Sequence, residues 1–207
     1  IYAQINPHFI FNSLNSALLL VNKNKMEEAY THISKFSRLL RAYIKSSRNK
    51  YITIAQELTN LKDYVELQQT RFKNRFSYNL LIHDSINANN VMIPSLLIQP
   101  FVENAINHGL LPKQDAGHLR IEFRIAEKSN ELLCIIEDDG IGRKNAKANP
   151  EIVQHKDESY GDLLIKDLVS IFNKYEHMNI EIAYTDKAAP LSGTIVTIHI
   201  KNPHYAQ

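Results

Sequence analysis

Residues 5–46 carry two apolar stripes at helical spacing, separated only by the polar run NKNKMEE, and such a pair has to fold back on itself. In the first stretch Ile10, Phe11, Leu14, Ala17, Leu18 and Val21 share one face. In the second, Met26, Ala29, Tyr30, Ile33, Phe36, Leu40, Tyr43 and Ile44 recur at three- and four-residue steps. Each helix of such a hairpin has one partner within the chain, yet both stripes are broad. Pairing with a second copy would complete a four-helix bundle, so the pattern predicts a homodimer.

The polar break SSRNK ends the hairpin. Thr53 and Gln56 stand at capping-box spacing and predict a third helix, carrying Leu58, Leu61, Tyr64, Val65 and Gln68 to about Phe72. From about residue 74 the texture changes. FSYNLLIH alternates, and HLRIEFRIAE, ELLCIIED, IEIAYT and TIVTIHIK read as strands. IPSLLIQPFVENAINHG reads as a helix opened by its first proline, with Gly109 as its C-cap. DLLIKDLVSIFNKY is an amphipathic helix, and the polar segment 143–160 reads as a long loop. The fold class is therefore α+β: helices first, then an α/β layer with a mainly antiparallel sheet.

A formal net charge of +2 over 207 residues is too weak to argue for a nucleic-acid partner. No apolar run is long enough to span a bilayer. The single cysteine, Cys134, sits in an apolar strand and makes no internal disulfide. The chain starts with Ile1, which suggests a piece of something longer. A P-loop, an H-E-x-x-H zinc motif and cysteine pairs are all missing from the sequence.

Four polar constellations remain. On a helix, His8, Asn12 and Asn15 of QINPHFIFNSLN fall within about 60° of one another. Asn6 and Pro7 suit its start, which puts His8 in the first turn. Apolar neighbours favour neutral imidazole, a nucleophile, and Asn12 at i+4 can hold its other nitrogen or an incoming phosphate. The bland alternative is a satisfied, half-buried histidine. In ENAINHG, Asn104, Asn107 and His108 share a helix face, and an asparagine oxygen suits Mg²⁺, which takes few protein ligands. A merely polar helix face would look the same. In EDDGIG, Asp138 ends a strand and can accept from an exocyclic amine, while Gly140 and Gly142 let backbone come close; an ordinary Asp-Gly turn is the alternative. Gly161 precedes a helix whose N-terminus can receive phosphate.

Taken in this order, these pieces resemble the kinase core of the LytS-type sensor histidine kinases, whose phosphoacceptor lies in an N-P-H-F-x-F-N segment. QINPHFIFNSLN, LLIQPFVENAINHG, IEDDGIG and SGTIVTIHIK carry the resemblance, which covers essentially the whole chain. It implies a helical dimerisation and phosphotransfer region over 1–73. It also implies a Bergerat-type ATP-binding α/β sandwich, of the histidine kinase, gyrase and heat-shock ATPase kind, over 74–207. By it His8 would be phosphorylated with Asn12 assisting, and Asn104 would bind Mg²⁺ on ATP. Asp138 would hold the adenine amino group, with Gly140 and Gly142 lining the pocket. Asn107, His108, Gly161 and the loop lysines Lys144 and Lys147 would complete the nucleotide site. The implied partners are a second copy and a response-regulator receiver domain. A membrane-anchored sensor segment would precede Ile1 and leave this soluble piece on the cytoplasmic side of the inner membrane.

Two departures bear on activity. Asp162 stands where the family's second glycine box is usually apolar, and Leu168 stands where an arginine is common. Both leave room for a degenerate kinase that acts as a dimeric nucleotide- or partner-binding module. Asp139 replaces the family's asparagine and would add a charge near the metal. Related hydrolytic ATPases carry a water-activating glutamate four residues before the metal-binding asparagine. Here that position is Pro100, which disfavours an ATP-driven clamp and favours transfer to His8. Glu103, beside Asn104 but at a different helical angle, is a further catalytic candidate.

Overall fold

A computed structural model describes residues 7–46, 48–126, 129, 131–143, 158–188 and 190–205, leaving out the side chains of residues 7, 8 and 158–164. The hairpin forms as α1 (Pro7–Asn22) and α2 (Met26–Ser46). Its turn depends on Asn24 at φ 56°, a left-handed conformation that asparagine tolerates better than most residues. Strand β1 (Tyr51–Thr53) follows, then α3 (Ile54–Arg71). The expected capping box starts α3: Gln56 N–H donates to Thr53 Oγ1 and Thr53 N–H to Gln56 Oε1, each at 3.2 Å.

The rest of the chain is β2 (Phe76–Ile82), β3 (Val91–Pro94), α4 (Gln99–Asn104), a π-helical turn (Ala105–Leu110), β4 (Gly117–Ile125), β5 (Leu132–Asp138), α5 (Glu158–Tyr175), β6 (Ile180–Asp186), β7 (Thr194–Ile200) and β8 (His204–Tyr205). Five strands make one sheet in the order β2-β4-β5-β7-β6, antiparallel except for the β2–β4 pair. The apolar run LLCII is the middle strand of this sheet, which explains its lack of alternation. Cys134 is fully buried there. Edge strands β2 and β6 alternate for most of their length because only one of their faces is covered. Helix α3 packs on β2 and β3, the π-helical turn on β4 and β5, and α5 on β6. The fold is thus α+β, a helical hairpin followed by an α/β sandwich.

Three strands escape the sequence pattern. β1, β3 and β8 form a second antiparallel sheet, in which Tyr51 pairs with Pro94 and Met92 with His204. Pro94 therefore ends a strand rather than opening a helix. The helix starts later, at Gln99, with Pro100 in its first turn, where the missing N–H costs nothing.

The two hairpin stripes are also divided differently. Phe9, Ala17 and Leu20 of α1 and Ala29, Phe36, Leu39 and Tyr43 of α2 are buried within the chain. Phe11, Leu14, Leu18 and Val21, together with Met26, Tyr30, Ile33 and Ile44, are exposed. Each helix thus carries one apolar face inward and a second one outward. The inner face joins a core that runs without a break from Phe9 to Ile200.

Candidate functional site

The site forms where β5 ends against the π-helical turn. Asp138 is only 4% exposed, and its Oδ1 accepts from the Gly140 N–H at 2.8 Å. Burial pushes its carboxyl up to about 6, against the opposing pull of the Gly140 and Thr194 backbone N–H groups and the Lys187 charge. A carboxylate held this way is a directed acceptor for a ligand N–H.

Three glycines make the enclosure possible. A Cβ on Gly109 would lie 2.9 Å from Asp138 Oδ1, and one on Gly140 would lie 2.3 Å from the Gly109 carbonyl oxygen. Gly193, at φ +115°, passes so close that its Cβ would sit 2.1 Å from the Asp138 carbonyl oxygen. The close approach is sealed by Ile141 N–H donating to the Gly109 carbonyl at 3.0 Å. Gly109 is therefore a close-contact residue inside the π-helical turn, not a C-cap. Gly142 is needed for a different reason, its left-handed φ of +78°. Gly193 was visible only as the start of the last strand, since nothing local says which backbone it must pass.

Asp139 is not a free charge beside a metal. Its Oδ1 accepts from His118 N–H at 2.7 Å and its Oδ2 from Lys113 Nζ at 3.0 Å. Burial works against its ionised form, but these two donors outweigh it and hold the carboxyl below its usual range. Among the described residues, Lys113 and Lys187 are cations that act on these two carboxyls. Both partners are distant in sequence from the residues they serve, so spacing gave no hint of them.

Asn104 is exposed, while Asn107 and His108 are half-buried. The face that a regular helix would give these three is rephased by the π-helical turn. Glu103 turns inward: its carboxylate accepts from Gln99 Nε2 at 2.6 Å, and burial raises its pKa. The same Gln99 amide donates to the Tyr43 hydroxyl, so α2 and α4 share a polar tie. The Tyr64 hydroxyl accepts from Gln68 Nε2 at 2.8 Å, and burial pushes its pKa up.

On the hairpin, the His8 backbone lies in the first turn of α1, and its side chain is outside the described residues. The Asn12 carbonyl accepts from Ser16 Oγ at 2.9 Å, and the Asn12 Nδ2 donor is buried with no partner among the described residues. Such a group costs about 1–3 kcal/mol. Asn15 is exposed. Lys144 and Lys147 lie outside the described residues, and Gly161 falls in the first turn of α5 rather than before it. Leu168 is 8% exposed and belongs to the core, so this position offers nothing to a phosphate.

Among the described residues no cluster of three or more His, Cys, Asp or Glu side chains could hold a metal ion. A Mg²⁺ bound through one asparagine oxygen, phosphates and water needs no such cluster. Among the described residues no helix is long and apolar enough to cross a membrane.

Residues 1–76 match the histidine kinase family. Over 142 residues the chain is 35% identical to the sensor histidine kinase/phosphatase LytS of Staphylococcus aureus strain MRSA252, a stretch equal to 68% of this chain and 23% of that protein. LytS of strain Mu50 is 34% identical over the same length. Among solved structures, the catalytic domain of histidine kinase ThkA aligns with a TM-score of 0.47 at 12% identity, covering 74% of this chain and 97% of that one. The mycobacterial sensor histidine kinase MprB gives 0.46 at 15% identity, covering 76% and 98%. The chain belongs to the histidine kinases, in the LytS-type sensor family. It spans about a quarter of the length of the curated relatives it matches.

Proposed function

We propose that this chain is the kinase core of a two-component sensor: it binds Mg²⁺-ATP at the Asp138 crevice, takes the γ-phosphoryl group on His8 and passes it to an aspartate of a response regulator. The observation that carries the reading is the buried Asp138 carboxylate, fixed by Gly140 N–H and walled by three glycines. Such a site suits a flat heterocycle bearing an amino group. In it Asp138 accepts from the adenine amine, and Asn104, exposed one helical turn before His108, offers its oxygen to Mg²⁺. ATP supplies the phosphoryl group and Mg²⁺ neutralises its charge. His8 serves as nucleophile, and the unpartnered Asn12 amide donor steadies the arriving oxygens. Glu103 is held nearby by Gln99 and remains a candidate for proton handling. Gly161 and the lysines 144 and 147 belong to the phosphate end in this reading. Positioning and charge neutralisation supply most of the catalysis.

The two outward apolar faces of α1 and α2 support a homodimer, because leaving Phe11, Leu18, Leu19, Met26 and Tyr30 in water has no other return. The relatives are named as sensors, and in this reading the full protein is membrane-anchored with its kinase core on the cytoplasmic side. Burial of Leu168, where the family commonly has arginine, favours the second reading, a nucleotide- or partner-binding module without turnover. Calorimetry with ATP, with and without Mg²⁺, tests the site. Asn104→Ala is expected to abolish the Mg²⁺-dependent part of the affinity and Asp138→Asn to weaken ATP in both conditions. Unchanged affinity in both variants would move the nucleotide elsewhere.

A further inference from the structure

Gln99 opens α4, a helix of six residues that ends on Asn104. So short a helix has little stability of its own, and its setting depends on what it is tied to. Phe101 and Val102 hold it by packing in the core. Gln99, itself buried, holds it by hydrogen bonds. A buried amide needs partners for its polar atoms, and its nitrogen carries two N–H donors. One donates to the Glu103 carboxylate at 2.6 Å, one turn along the same helix. The other donates to the buried Tyr43 hydroxyl on α2. Both donors are therefore spent, one within α4 and one across to the hairpin. Gln99 and Glu103 lie on one face of α4, and the bond to Tyr43 turns that face toward α2. Asn104, one residue further, falls about 100° round the helix and is exposed. On the hairpin side α2 packs on α1, where Phe9, the neighbour of His8, meets Phe36 with ring centroids 6.0 Å apart.

We propose that Gln99 is a positioning residue for the phosphoryl transfer: through Tyr43 it fixes the rotation of α4 against the hairpin, and so sets Asn104 relative to His8. This inference rests on the kinase reading above and adds to it a direct polar contact between the part that carries the nucleophile and the part that carries Asn104. Cutting the tie leaves Asp138 and its glycine walls in place, because they are built by β5 and the backbone beside it. The nucleotide is still held, but its phosphates are no longer aligned with the hairpin. Misalignment of this kind costs rate rather than affinity.

The test compares the rate of His8 labelling at saturating Mg²⁺-ATP with Mg²⁺-ATP affinity from calorimetry. Tyr43→Phe removes the α2 end of the tie and leaves Gln99 on Glu103. Gln99→Met keeps the length of the side chain and removes both bonds. Each is expected to slow labelling by about tenfold and to lower affinity far less. The double variant is expected to be no slower than Gln99→Met alone, because the two share one bond. Hydrogen exchange gives a readout apart from labelling. In the unmodified chain Mg²⁺-ATP is expected to raise protection over residues 40–46 as well as 99–104, and in Tyr43→Phe over 99–104 only. Tyr43→Phe labelling at the unmodified rate, additive losses in the double variant, or an affinity loss as large as the rate loss would overturn the proposal. An unmodified chain that does not bind Mg²⁺-ATP, or binds it without labelling, would instead overturn the kinase reading, and this inference with it. Should both variants fail to fold, exchange on the unmodified chain decides alone, and a change confined to 99–104 refutes the tie.

Discussion

Glu57 gives the sharpest stability prediction. It sits in the first turn of α3, is 3% exposed, and its Oε1 has no hydrogen-bond partner among the described residues. Burial pushes its carboxyl up to about 7 from 4.5, although a hydrogen bond with Asn60 pulls the other way. Below 4.5 both folded and unfolded chains hold the proton and the carboxyl is neutral. Between 4.5 and about 7 the folded chain holds the proton and the unfolded chain does not. Stability therefore falls as pH rises through this window, by about 1.4 kcal/mol per pH unit, or about 3 kcal/mol in all. Glu57→Gln removes the ionisation and keeps the shape. Its extra amide donor costs about 1–3 kcal/mol if left unpaired, but that cost does not depend on pH. Thermal or urea unfolding of both proteins from pH 4 to 9 supplies the comparison. The variant is expected to gain on the parent by about 3 kcal/mol across the range, roughly 6–12 °C in Tm for a chain of this size. A difference between the two proteins that stays flat with pH would refute the reasoning.

Three further outcomes follow from the site and the hairpin. Because the ionised carboxyl is the stronger acceptor and that of Asp138 is pushed up to about 6, ATP affinity should fall as pH drops from 7 to 5, by at most about tenfold per unit; calorimetry across this range reads it, and Asp138→Asn should flatten the dependence. Gly140→Ala puts a Cβ 2.3 Å from the Gly109 backbone, so the crevice must spread; we expect about 1–3 kcal/mol of destabilisation in urea unfolding together with loss of ATP binding. Leu18→Glu, at a position 60% exposed in the single chain, should convert a dimer to a monomer in sedimentation without changing the circular dichroism of the fold.

Local signals carried much of the fold. The Thr53–Gln56 capping box, the hairpin with its short turn and the five strands of the larger sheet all depend on neighbours a few residues away, and each is written in a period or a cap. β1, β3 and β8 are two to four residues long, too short to show a period, and exist because they pair with one another across the chain. The division of each hairpin stripe into inner and outer faces depends on where α3 lies, which spacing on α1 cannot tell. At the site, Asp138 and Gly140 were legible because an apolar strand ends on them. Gly109 and Gly193 were not, because their need for glycine comes from the backbone of a remote segment. Asp139 likewise reads as a bare charge until Lys113 and His118 are brought to it by the fold.

The most direct measurement is incubation of the purified chain with Mg²⁺ and γ-labelled ATP, followed by acid and alkali treatment of the product. An acid-labile, alkali-stable label is expected that maps to His8 and is absent from His8→Gln, while His8→Gln still binds nucleotide. A label on another residue, or none on a chain that binds Mg²⁺-ATP, would contradict it.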